Sequence, residues 1–368
     1  MMSDDNVSQR IAILRLPLIA GIVFFHNCTT TFELASESTG VTQNRAWVDF
    51  VRYFISLDAA LVAIPMFFLI SGYLFFLGEW SRERYVSKLK RRVHTLLIPF
   101  LFWNLFTLLV LAVGQSIPQV SQYFFTQYYP PIHSFSCLNY INALSGIAIR
   151  WPIAGHFWFI RDLMAVVVLA PVIHFLLSNK KWGILFLVIL VCLRFAMPSW
   201  PDFWPGFRAC FFFTLGAYLS QQGKSILCLD KFGPWICTVF LGLIVFHSAF
   251  PHSPKYLEHL VVIFGLPSVW WLSGLVAKTA RLKSLLIALG SSSFFVFAAH
   301  EPLQGTLIKV THKLFLPSSG VTTLALYFSI PLCVIALLVT LYYCLLKTMP
   351  SFLDFVAGSS HRFGKQRA

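Results

Sequence analysis

Ten predominantly apolar runs divide the chain, near 11–31, 55–78, 94–114, 157–177, 182–198, 206–222, 233–250, 259–277, 285–302 and 321–346. A helix that crosses a bilayer needs about 20 such residues. The pattern therefore predicts an all-α, polytopic membrane helix bundle of about ten transmembrane helices. It forms a single membrane domain over residues 1–368, with a short tail from about 347. Two connectors exceed what linking alone requires. Residues 32–54 carry Glu33, Glu37, Arg45, Asp49 and Arg52, while residues 115–156 carry Pro118, Pro130, Pro131, Trp151 and Pro152 among many aromatics. The second has the composition of a segment lying along a membrane–water interface. No repeat, low-complexity tract or extra soluble domain is visible.

Composition agrees with the pattern. Hydrophobic residues make up 57% and charged residues 11%, against roughly a quarter charged in a soluble domain. Disorder is excluded too, because it needs low hydrophobicity and high charge. The net charge of +14 matters through its placement. With the N-terminus inside, the inward connectors hold Arg82, Arg84, Lys88, Lys90, Arg91 and Arg92, followed by Lys180, Lys181, Lys224 and Lys231. They continue with Lys278, Arg281, Lys283, Lys347, Arg362, Lys365 and Arg367, making 17 of the 28 basic residues. The outward connectors hold Arg45, Arg52, Arg150, Lys255, Lys309 and Lys313. Basic residues are retained on the cytoplasmic side, so both termini are expected there, and nucleic acid is not an expected partner. Eight cysteines form no CxxC pair and no zinc-ligand spacing. Cys28 and Cys137 both fall in outward segments, which leaves a disulfide between them open. No cleavable signal peptide is expected, since the first run lacks a small-residue cleavage site and holds an arginine.

Ionisable residues inside apolar runs are costly and point to function. Arg15 and His26 share the first run, RIAILRLPLIAGIVFFHN. They are eleven positions apart, about 16 Å at ~1.5 Å per residue, and at ~100° per residue they return to within about 20° of one direction. Arg15 then lies toward the cytoplasmic end and His26 toward the outer end of one stripe, with Pro17 in the first turns. Taken alone, Arg15 snorkelling to headgroups and His26 capping the helix explain the pair equally well.

Further segments follow in order: PMFFLISGYLFF, the basic RERYVSKLKRRVHTLLIPFLFWN, GHFWFIRDLMAVVVLAPVI, FFFTLGAYLS and SSSFFVFAAHEPL. Together with Arg-x10-His at Arg15 and His26, this series resembles the acyltransferase family 3 membrane proteins over nearly the whole chain. The resemblance implies transfer of an acyl group, usually acetyl, from cytoplasmic acetyl-CoA or another acyl-CoA to a hydroxyl of an extracytoplasmic carbohydrate or glycan acceptor. It also implies a bacterial inner membrane. By the same similarity Arg15 and His26 match the family's basic-x10-His pair. Lys88 and Arg91 give a Lys-x-x-Arg version of its basic pair, whereas Arg92 is followed three residues later by Thr95. Acyl-CoA is a co-substrate here; no permanently bound cofactor or metal is expected.

Acyl transfer from a thioester to a hydroxyl needs a base, oxyanion stabilisation and a site for the CoA phosphates. An imidazole of pKa about 6.5 suits the first, which makes His26 the candidate base; a transient acyl-histidine is the other route. Arg15 suits phosphate, since a guanidinium binds it bidentately and stays charged. Lys88, Arg91 and Arg92 offer a phosphate patch, although a basic cytoplasmic loop or contact with anionic lipid accounts for them as well. Arg161 and Asp162, about 100° apart on the helix, need not pair with one another. They either bind the acceptor and orient His26, or join helices. Arg194 and Arg208 flank the aromatic loop around Asp202, which suits a sugar face or interfacial anchoring. His300 and Glu301 end the ninth run before Pro302, where they either complete the acid–base set, fix the His26 tautomer, or simply terminate the helix. Ser71 and Gly72 suit close helix packing. The competing class is a transporter or flippase, which also uses buried charges and Gly/Pro interruptions.

Overall fold

A computed structural model describes residues 2–28, 31–34, 37–40, 46–124, 131–147, 151–196, 205–223, 229–315 and 317–358. The Asp202 loop and the connector residues Arg45, Arg150, Lys224, Arg362, Lys365 and Arg367 lie outside the described residues. The architecture is helical apart from one short antiparallel ribbon of β1 (Thr31–Leu34) and β2 (Glu37–Gly40), with Thr31 opposite Gly40.

Helix α1 (Met2–Phe25) is followed by α2 (Ala46–Arg52), a π-helical turn over Tyr53–Ala59, a 3-10 turn over Ala60–Val62 and α3 (Ala63–Phe76). Then come α4 (Arg82–Arg92), α5 (Ile98–Ser116), α6 (Cys137–Ser145), α7 (Trp158–Val168) and α8 (Ala170–Leu177). The second half holds α9 (Lys180–Ala196), α10 (Phe207–Gln221), α11 (Gly233–Ala249) and α12 (Tyr256–Ala277). It closes with α13 (Ala280–Gly290), α14 (Ser293–Leu314), α15 (Gly320–Thr348) and α16 (Pro350–Ala357).

Among the described residues six helical runs are long and apolar enough to cross a membrane: 5–25, 46–76, 82–116, 230–249, 256–277 and 320–348. Two bent pairs, α7 with α8 at 58° and α13 with α14 at 63°, raise that to eight. The runs predicted near 182–198 and 206–222 form helices of 17 and 15 residues, at or below the short limit for a straight crossing. Stripes of apolar side chains face outward at helical spacing, as with Leu101, Leu105, Leu109 and Val113 on α5, and Val172 and Phe175 on α8. A water-soluble bundle would not expose continuous apolar faces of this kind; lipid-facing helices do. The protein is a multi-pass membrane protein.

Inside, α1 packs against α12, α13, α14 and α3. Helices α3 and α10 meet backbone to backbone because both carry glycine at the crossing. A Cβ on Gly72 would fall 2.0 Å from the Phe213 carbonyl oxygen, and one on Gly216 would fall 2.0 Å from that of Leu69. Small residues at such a crossing let two helices gain dispersion contacts that lipid cannot offer.

Several expectations are corrected. Helix α1 begins at Met2, so Pro17 is an interior proline, not a first-turn one, and Arg15 lies near the middle of the 5–25 span. The helix bearing His300 and Glu301 does not end there: α14 runs through Pro302 to Leu314. Cys28 and Cys137 are both free thiols. Described parts of the long 115–156 connector are tied down as well. Gln115 donates to the Phe124 carbonyl and accepts from the Ile132 amide at 2.8 Å, and Lys309 of α14 donates to the Tyr123 carbonyl at 2.6 Å.

Candidate active site

His26 sits in the turn that ends α1, its amide still donating to the Ile22 carbonyl at 3.1 Å. Three neighbours pin that helix end. Gln304 of α14 donates to the Val23 carbonyl at 3.0 Å, and Ser56 of the π-helical turn donates to the Phe24 carbonyl at 2.6 Å. Asn27 donates to the Tyr327 carbonyl of α15 at 2.9 Å, while the Tyr327 hydroxyl lies 2.7 Å from Ser56 Oγ. The Gln304 bond closes a backbone carbonyl left open at the end of α1, and together these contacts tie the residues flanking His26 to the π-helical turn, α14 and α15.

The His26 ring meets two more imidazoles. The ring centroid of His300 is 5.2 Å from that of His26, His156 is 6.4 Å away, and His156 and His300 are 5.0 Å apart. Nothing in the sequence pattern singles out His156. It occupies a 3-10 turn over Gly155–Phe157, immediately before α7, and is buried. That turn is set from a distance: the buried Asn104 of α5 accepts the Ala154 amide at 3.0 Å. The Nδ1 of His156 donates to the Glu301 carboxylate, and its Nε2 faces the Ala298 carbonyl at 3.3 Å. His300 donates from Nδ1 to the Phe297 carbonyl at 2.6 Å. Phe297, Ala298, His300 and Glu301 are one turn of α14, so a single helical turn supplies most of the polar contacts. The Glu301 hydrogen bond thus goes to His156. Among the described residues no group of three or more His, Cys, Asp or Glu is arranged to hold a metal ion.

Arg15 is on the same helix as His26 and is exposed. Its Cβ lies near Gly290, at the bend between α13 and α14. Helix α4 carries the basic cluster, begins with Ser81 capping the Arg84 amide at 3.1 Å, and buries none of its side chains. Lys88 donates to the Phe75 carbonyl at the end of α3 and lines a small pocket with Phe76, Trp80, Arg84 and Tyr85. Arg91 is exposed and Arg92 half-buried.

Arg161 and Asp162, expected to point apart, are paired. Arg161 curls back to give Nε and Nη2 to Asp162 Oδ1 at 2.9 and 2.7 Å, and its Nη1 reaches the Gly146 carbonyl at 2.6 Å. Asp162 Oδ2 accepts the Gly206 amide at 2.9 Å. The pair therefore stitches α7 to the ends of α6 and α10, and Asp162 does not orient His26. A second buried carboxylate escaped the sequence: Asp58, in the π-helical turn, accepts from His247 Nδ1 at 2.6 Å and from Ser248 of α11.

A polytopic membrane bundle whose interior brings three histidines and a glutamate together beside the end of its first helix has the components of a membrane acid–base enzyme. The comparisons give that class its particular identity. The family model for the acyltransferase domain matches residues 9–345, and the chain belongs to that family. It is 27% identical to the succinoglycan biosynthesis protein ExoH of Rhizobium meliloti (strain 1021), over 99% of this chain and 95% of that protein. No solved structure matches. The chain is a membrane O-acyltransferase, which decides between the enzyme and the transporter.

Proposed function

We propose that this protein moves a short acyl group, acetyl by default, from cytoplasmic acyl-CoA to a hydroxyl of an extracytoplasmic polysaccharide, in a bacterial inner membrane. The observation that carries the reading is the placement of His26. It ends a continuous helix that holds Arg15 about 16 Å away at ~1.5 Å per residue, and it meets His300 and His156 at the other end. In this topology ten helices cross the membrane with both termini inside, the short α9 and α10 included. Helix α4 then lies on the donor side and the imidazole cluster near the acceptor side.

An exposed arginine near the middle of a span fits a water-filled crevice, since charges at that depth face cavities or partners and avoid lipid. Arg15 holds a donor phosphate or the carbonyl end of the pantetheine arm there, and Lys88, Arg91 and Arg92 hold the nucleotide phosphates. His26 takes the acceptor's proton as its oxygen attacks the thioester carbonyl. The ester C–O bond forms, the C–S bond breaks, and the proton ends on the CoA thiol. The polysaccharide acceptor is supported by the related protein named for succinoglycan biosynthesis.

The test is release of free CoA by purified protein in lipid, with acetyl- and succinyl-CoA as donors and surface polysaccharides as acceptors. Acceptor-dependent release that His26→Ala abolishes is the expected result. Release that survives the substitution removes His26 as base.

A further inference from the structure

One buried atom in the imidazole cluster has no hydrogen-bond partner among the described residues. The Phe297 carbonyl can only accept, so the bond at His300 Nδ1 places the ring hydrogen there and leaves Nε2 as a bare lone pair. His300 is fully buried, and among the described residues its Nε2 meets no hydrogen-bond donor. A buried acceptor left empty costs free energy, and native proteins seldom keep one without a use. Two rings stand near enough to fill it. His156 is already engaged at both nitrogens, by Glu301 and by the Ala298 carbonyl. His26 is the other, with its centroid 5.2 Å from that of His300. That separation allows a nitrogen-to-nitrogen hydrogen bond of about 3 Å once the two nitrogens face each other.

We propose that His300 is the positioning residue for His26: its Nε2 accepts the N–H of one His26 ring nitrogen and so fixes the tautomer. The other His26 nitrogen is then the bare one, presented to the acceptor hydroxyl. An oriented base of this kind follows the general logic of a base held in its working tautomer by a third group. The third group is here a second imidazole whose own tautomer is locked by a backbone carbonyl one turn earlier on α14. His300 exchanges no atom in the net reaction. Its catalytic consequence rests on the acyltransferase reading above, whereas the hydrogen bond itself does not.

The experiment is nitrogen NMR on histidine-labelled protein in lipid nanodiscs, with the His26 signals identified by their loss in His26→Gln. In the wild type, His26 is expected to show one protonated and one bare nitrogen, with a coupling across the hydrogen bond to His300. His300→Leu keeps the bulk but removes the acceptor, and its His26 signals should collapse toward a tautomer average. His300→Gln returns an acceptor oxygen and should keep them apart. In the CoA-release assay His300→Leu should lose roughly 100-fold in kcat at unchanged KM, and His300→Gln should recover most of it, in line with the 10²–10⁴ usually tied to a working general base. A wild-type spectrum without the coupling, or His26 signals unmoved by His300→Leu, overturns the proposal even if turnover is normal. The expected spectra without CoA release by any donor would leave the hydrogen bond standing and sink the donor reading instead.

Discussion

The start of α7 places two polar clusters five residues apart, and they are built on opposite plans. Around Arg161 the described polar atoms are matched: its guanidinium takes Asp162 and the Gly146 carbonyl, and Asp162 takes the Gly206 amide. Around His156 the matching is incomplete, because His300 Nε2 is left without a donor among the described residues. Asp58, with a histidine and a serine on its two oxygens, belongs with the first plan. In a low-dielectric interior a fully satisfied network makes structure rigid, whereas an unfilled buried acceptor is costly, and at His300 that is the place proposed above for the His26 N–H. On the proposed mechanism the Arg161 and Asp58 networks hold the bundle and the histidine cluster works in it, although both kinds are ionisable residues of apolar segments and look alike in sequence.

Substitutions can break that contrast, and the largest effect should fall on the working cluster. His26→Ala is expected to lower CoA release by about 10²–10⁴-fold, the range for losing a general base, with an unchanged unfolding midpoint in detergent. Arg161→Ala should do the reverse. It strands the Asp162 carboxylate, and removing one partner of a buried pair costs about 3–5 kcal/mol. The yield of folded protein and the thermal midpoint should fall while turnover per folded molecule stays near wild type. If Arg161→Ala abolished turnover in folded protein at unchanged stability, the division between the two clusters would be wrong. Next in size is Gly216→Ala, whose added Cβ meets the Leu69 carbonyl. Overpacking of this kind costs about 1–3 kcal/mol, read as a lowered midpoint with both clusters chemically intact.

These contrasts also mark how far the sequence could be read. The apolar runs were legible because a membrane demands long uninterrupted stretches, and Gly72 stood out as a small residue in a bulky helix. Arg15 and His26 were legible because charge is expensive in such runs. His156 was not, because its inward placement depends on Asn104 accepting the Ala154 amide, a contact fifty residues away in sequence. Nor was the Arg161–Asp162 pairing, since helical angles describe Cβ directions while a long arginine can curl back upon its neighbour. Pro302 reads as a helix stop, yet α14 continues through it. Neighbouring helices and local adjustment can satisfy the backbone that a proline frees inside a membrane bundle.

The smallest expected effects concern α4, where the same contrast recurs between two basic residues three positions apart. Lys88 is anchored, giving its ammonium to the Phe75 carbonyl and lying 5.3 Å from that ring's centroid. Arg91 is exposed. If α4 binds donor phosphates, Arg91→Ala should raise KM for acyl-CoA a few-fold at low salt and leave kcat unchanged. The difference from wild type should fade as salt rises and the Debye length shrinks from about 10 Å at 0.1 M. Stability should move by no more than about 0.5 kcal/mol, as for an ordinary surface substitution. Lys88→Ala should raise KM similarly but also loosen the seat of α4 on α3, which a lowered unfolding midpoint would report. A KM indifferent to Arg91→Ala at every ionic strength would return that residue to the ordinary role of basic residues in cytoplasmic connectors. The phosphate role would then rest on the groups lining the pocket, Lys88 and Arg84.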